Sequence, residues 1–179
     1  MQLELDISVA CPDWLTDLPE AEALARRAAE AALARAAAGE TRPLELAIVL
    51  SDDATVRALN RQWRGRDTPT NVLSFEGGEA PPPGSGRPWL LGDVVLAHGT
   101  VLREAAEQDK TPADHLSHLV VHGVLHLLGF DHENEAEAEA MEGLEVAVLT
   151  GLGIADPYRP PDLSDSENET EMEVVKARR

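Results

Sequence analysis

The stretch HGVLHLLGFDH, residues 122 to 132, constrains the fold more than any other part of the chain. Just upstream, Thr111-Pro112-Ala113-Asp114 is a strong helix start. Threonine suits the N-cap, proline the first helical position, and aspartate the positive end of the helix dipole. Gly129 is the matching stop, because glycine takes the positive φ that ends a helix. These signals predict one helix from about 112 to 128. His122 and His126 are four residues apart on it, so both side chains leave the same face. Beyond Gly129 the chain turns back, and His132 can reach the same point. Any fold of this chain must therefore serve one helix and the turn that follows it.

Three imidazoles arranged this way can share one ion about 2 Å from each nitrogen. Three neutral ligands leave a position open for water, as in a catalytic zinc site. Zinc, one ion per chain, is the cofactor expected from the ligand type; nickel and iron also accept three nitrogens. The spacing is that of the H-E-x-x-H-x-x-G-x-x-H zinc peptidases, but Gly123 stands where they carry the glutamate base. The expectation is a zincin-like site without that base. His118 lies one turn before His122, and His115 a further turn back. Each reads as a ligand, a support for a ligand, a substrate contact or a packed histidine. His98 follows a strand and receives no role. Asp131 either orients a ligand imidazole, acts on the metal-bound water as a base, or caps the next helix.

Leu3, Leu5, Ile7 and Val9 alternate with polar residues, and so do Leu44, Leu46, Ile48 and Leu50, as half-buried strands do. An alanine-rich helix is expected over residues 18 to 38, ended by Gly39. Ser51 or Asp52 caps a helix that sends Val56, Leu59 and Trp63 inward. NVLSF at 71 to 75 and LLGDVVLA at 90 to 97 read as strands, with a proline-rich loop at 79 to 88 between them. Helices follow at about 99 to 108 and 134 to 152. The last places Met141, Leu144 and Val148 inward, and its glutamates at 135, 137, 139, 142 and 145 mostly toward solvent. The fold class is α+β: a small mixed sheet of about four strands, about five helices, and a central helix carrying the histidines. Residues 1 to 159 form one domain. The acidic, aromatic-free tail from 160 to 179 lacks the apolar surface to order itself and is expected to be disordered.

Net charge is −18, which repels polyanions globally and argues against wholesale nucleic-acid binding; no DNA partner is expected. Within that field Arg57, Arg61, Arg64 and Arg66 form a local positive strip, the first three on one helix face. Arginine forks match phosphate oxygens, although any of the four can instead pair with the abundant carboxylates. A phosphate-facing strip with a metal–water site points to phosphodiester rather than peptide chemistry. Cys11, the one cysteine, excludes an internal disulfide and reads as a small buried residue. No run of about 20 apolar residues is present, so no membrane partner is expected. The N-terminal stretch lacks the parts of a signal peptide, and the expected location is cytoplasmic.

HGVLHLLGFDH, LNRQWRGRDTPTNVLSF and LLGDVVLA together resemble the YbeY family of bacterial rRNA maturation endoribonucleases. The resemblance runs from residue 3 to the DPY at 156 to 158. It implies a single-strand-specific, metal-dependent endoribonuclease acting in 3′-end maturation of small-subunit (16S) rRNA and in ribosome quality control. It implies zinc at His122, His126 and His132, and an arginine needed for activity at Arg64. Implied partners are single-stranded RNA, an rRNA precursor, and the small ribosomal subunit with its assembly factors. Asp131 joins Arg64 as a catalytic candidate; Arg57, Arg61, Arg66 and His118 are candidates for substrate binding. Two other readings stand beside it: a non-catalytic, zinc-containing ribosome assembly factor, and a metallopeptidase with a displaced base.

Overall fold

The computed structural model describes residues 1–159 and, for the backbone alone, 175–177. Its strands are β1 (Leu3–Val9), β2 (Leu44–Ser51), β3 (Val72–Glu76), β4 (Trp89–Ala97) and β5 (Val175–Ala177). Its helices are α1 (Asp13–Asp17), α2 (Ala21–Ala36), α3 (Asp53–Arg64), α4 (His98–Glu107), α5 (Pro112–Leu127) and α6 (Glu135–Gly151). The strand order is β1-β2-β4-β3-β5. β1, β2 and β4 run parallel, β3 is antiparallel to β4, and β5 is parallel to β3. This is the α+β architecture with a mixed sheet and a central histidine helix. The tail expected to be disordered lies outside the described residues apart from the three of β5.

The sheet has a helical layer on each face. Val72, Val94 and Leu96 face a large core with α2, α5 and α6. Leu73, Phe75, Val95 and Ala97 alternate with them and face Val56 and Leu59 of α3. α3 and α5 therefore lie on opposite faces. α5 is buried continuously from His115 to Leu127, which makes it the centre of the molecule. Thr111 caps it, its hydroxyl accepting from Asp114 N at 3.1 Å, and Gly129 beyond its end has φ 96°.

The structure adds to or corrects the sequence reading at three points. α1 was not expected: five residues carry no readable period, and the turn is anchored instead by Trp14, whose indole N–H donates to Ser51 O at 2.8 Å. Trp63 is 44% exposed, meeting Phe75 only edge-on, while Asn60 takes the buried position on α3. Asn60 is satisfied there by donating to Thr68 O at 2.8 Å. The third is Glu145, treated below.

Candidate metal centre

α5 and the turn behind it bring the three motif histidines together. The Nε2 atoms of His122 and His126 are 2.8 Å apart. Ring centroids of His132 lie 5.9 Å from His122 and 5.2 Å from His126. One ligand atom from each of the three falls within 4.8 Å of the others, so the group can hold a metal ion. His122 and His126 are buried and His132 is exposed, which leaves the centre open on one side. The donor set, three imidazoles on a buried helix and a turn, fits a divalent transition metal.

Each buried ring is oriented from behind. His126 donates from Nδ1 to Phe130 O at 3.0 Å, a carbonyl supplied by the turn after Gly129. His122 donates from Nδ1 to Glu145 Oε1. Both rings thus keep Nε2 free of its proton and turned inward, the form in which imidazole binds metal. The other carboxylate oxygen, Oε2, accepts from the Tyr158 hydroxyl and from His118 Nε2, the latter at 3.1 Å. Burial would raise the Glu145 pKa, but the hydrogen bonds from His118 and His122 outweigh it and hold the carboxyl well below the usual range. Burial pushes His118 down, toward the neutral ring. Burial, with the Glu145 charge added, pushes the Tyr158 hydroxyl up.

Glu145 is the exception among the α6 glutamates. It is 0% exposed, whereas Glu135, Glu137, Glu139 and Glu142 face solvent as expected. The readable signal was its place on the helix: four residues after Met141 and three before Val148, it shares their inward face. A run of glutamates hides one that differs only in phase. His118 lies on the Glu145 side of His122. His115, at 0% exposure, is paired instead with Glu104 at 2.8 Å. Asp131 Oδ1 accepts from His132 N at 2.8 Å and so shapes the turn bearing the third histidine. It does not cap α6, because Asn134 does, accepting from Glu137 N at 2.9 Å.

Gly123, the position of the missing base, faces the sheet. A Cβ there would stand 2.8 Å from Val94 Cγ1 and 3.1 Å from Ser74 Oγ. Ser74 Oγ also donates to Gly123 O at 3.1 Å. A side chain there would have to displace Val94 or Ser74, so packing disfavours the peptidase glutamate.

The arginines are elsewhere. Arg57 and Arg61 lie with Asp67 along an open groove on α3, and Arg57 Nε donates to Asp67 Oδ1 at 2.9 Å. Arg57, Arg61 and Arg66 are exposed; Arg64, at the end of α3, is half-buried. The structure does not join Arg57 and Arg61 to the histidines, since α3 and α5 pack on opposite faces of the sheet. A second group that could hold a metal, Cys11, Asp13 and His98, sits near α1. There His98 Nε2 is already 2.8 Å from Asp17 Oδ2.

Fold and site together define an α+β protein with a candidate three-histidine metal centre on a buried helix. The family model for Endoribonuclease YbeY matches residues 12–153, and the chain belongs to that family. The Endoribonuclease YbeY of Alkalilimnicola ehrlichii is 57% identical over 160 residues, 89% of this chain and 92% of that one. That of Paramagnetospirillum magneticum is 53% identical over 158 residues, 87% of this chain and 96% of that one. A solved structure from Thermotoga maritima is 20% identical, with a TM-score of 0.47, over 90% of this chain and 99% of that chain.

Proposed function

We propose that this chain is a zinc-dependent endoribonuclease specific for single strands. It acts in 3′-end maturation of 16S rRNA and in ribosome quality control. Its substrate is an rRNA precursor in the cytoplasm, and its partners are the small ribosomal subunit and its assembly factors. Family membership supports RNA cleavage; the rRNA and zinc parts rest on the sequence resemblance and on ligand chemistry. The observation that carries the reading is the convergence of His122 and His126 Nε2, 2.8 Å apart, beside an exposed His132. Three nitrogen donors suit zinc. A bound zinc ion would acidify a coordinated water to a pKa of about 7 and offset negative charge at a phosphoryl oxygen.

The chain's own residues do the rest. Phe130 O and Glu145 keep two imidazoles deprotonated at Nε2. Asp131 holds the backbone of His132. Arg64, always protonated, neutralises phosphate charge as it grows. Arg57, Arg61 and Arg66, exposed on or just after α3, attract the RNA backbone farther out. His118 acts from behind the site rather than on the substrate. The packed Gly123 disfavours a glutamate base at that position, so a peptidase would have to draw its base from elsewhere.

The test is cleavage of labelled single-stranded and duplex RNA by the purified chain, with and without chelator, beside His126→Ala. Cleavage confined to single strands, lost with chelator and in the variant, is expected. Tight association with small subunits but no cleavage of any RNA would sink the nuclease reading and favour an assembly factor.

A further inference from the structure

We propose that Glu145 is the positioning residue for His122, and that Tyr158 and His118 hold Glu145 in place. The inference rests on the metal reading of the three histidines and adds a clamp reaching the site from α6 and the segment beyond it.

A carboxylate at 0% exposure is expensive unless its oxygens are supplied with donors. The rest of the inward face of α6, with Met141, Val148 and Leu149, is apolar and would pack more cheaply with another apolar residue at 145. Instead both carboxylate oxygens are engaged, Oε1 by His122 Nδ1 and Oε2 by Tyr158 and His118. This geometry leaves His122 one tautomer, with the proton on Nδ1 and the lone pair of Nε2 toward His126. His126 is set by a neutral backbone carbonyl, so His122 is the ring placed by a charged acceptor. A carboxylate behind a ligand imidazole also makes it a stronger donor.

Tyr158 gives the clamp its second side. It comes from beyond the end of α6, and the residue is 39% exposed while its hydroxyl turns in to Glu145. His118 stands edge-on to Tyr158, with centroids 5.6 Å apart, and edge-on to His122 at 6.4 Å. The Tyr158 hydroxyl and the His118 N–H both need an acceptor at Oε2. Glutamine at 145 would place its amide N–H₂ on one oxygen position and fail one side or the other.

The experiment uses the full chain, metal-free and labelled with nitrogen-15 in histidine. Long-range proton–nitrogen spectra near pH 8 read each ring's tautomer, and competition with a chromogenic chelator gives the zinc Kd. His122 should be the Nδ1–H tautomer in the parent chain and a mixture in Glu145→Gln. The zinc Kd should rise about 10- to 100-fold in that variant and a few-fold in Tyr158→Phe. The metal-free melting temperature of Tyr158→Phe should stay near that of the parent. An unchanged tautomer and a Kd within twofold in Glu145→Gln would overturn the proposal. If that variant fails to fold, an unchanged Kd in Tyr158→Phe overturns it. Metal kept in His132→Ala but lost in His118→Ala would also overturn it, making Glu145 a ligand of the alternative group with His118 and His122. If the parent chain bound no zinc while His122 still depended on Glu145, the metal reading would fail and the clamp would stand.

Discussion

Gly123 shows how one residue separates this site from the peptidase pattern it shares its spacing with. The helix that carries the ligands lies so close to β3 and β4 that a Cβ at this position would press on Val94 and Ser74. Gly123→Ala should therefore lose stability despite alanine's better helix propensity. Overpacking a core costs roughly 1 to 3 kcal/mol, and the propensity gain returns about 1 kcal/mol. Val94 is fully buried and β-branched, so it yields little. A net loss of about 1 kcal/mol in urea unfolding is expected; a more stable alanine variant would mean the contact has slack. Arg64 is the second residue to test, being half-buried where Arg57, Arg61 and Arg66 are exposed. Arg64→Ala should cut RNA cleavage by roughly a hundred- to a thousandfold, with metal content and melting temperature unchanged. Lysine should rescue only in part, lacking the bidentate fork. Wild-type cleavage in Arg64→Ala would remove the phosphate contact. Loss of fold would make Arg64 structural and move the role to Arg61 or Arg66.

At the scale of elements, legibility followed the physics of each. β1 and β2 alternate between more and less buried positions, and their period was plain. α5 was bounded by a cap and a glycine, and both act as expected. α3 was legible as a helix, capped by Asp52 through Thr55 N at 2.7 Å, but not its placement. No local pattern says which face of a sheet a helix takes, so Arg57 and Arg61 could not be separated from the histidines. The same holds for contacts between helices. Glu104 of α4 accepts from His115 of α5 at 2.8 Å and from Asn71 Nδ2, before β3, at 2.9 Å. Burial alone would raise its pKa, but these hydrogen bonds lower it below the ordinary value of 4.5. A carboxylate depressed by folding stabilises above its unfolded pKa, and that stability is lost as pH falls through the folded value. Glu104→Gln should thus cost roughly 1 to 3 kcal/mol at pH 7 through an imperfect replacement of a half-buried acceptor. The gap to the parent chain should close as pH drops below about 4.5. Denaturant unfolding from pH 7 to 3 measures it, and a gap independent of pH would show that the charge of Glu104 carries nothing.

At the scale of the whole molecule, the two core clusters explain how an acidic chain can present a local cationic surface. Apolar contacts hold the sheet between its helices, while Arg57 and Arg61 of α3 are exposed. Among the described residues, the core side chains lie between Leu3 and Ile154. The residues beyond 159 contribute a short strand, β5, to the outer edge of β3, three residues in register from Leu73 to Phe75. A strand that short adds few hydrogen bonds to a sheet whose other pairs are longer, and its removal leaves both described cores intact. We therefore expect the chain truncated after Arg159 to fold, to bind one zinc ion and to cleave short RNA. Its melting temperature should fall by no more than about 2 °C, since 1 kcal/mol moves a domain of this size by about 2 to 4 °C. The deleted segment holds more acidic than basic residues, so its loss reduces repulsion of the RNA backbone. Association with RNA at low salt should quicken slightly, and the gain should vanish as salt screens the field. Melting by circular dichroism and cleavage at two ionic strengths test both parts. A fall of more than about 5 °C would mean that β5 closes an edge the sheet cannot leave open, and that the domain extends past Arg159.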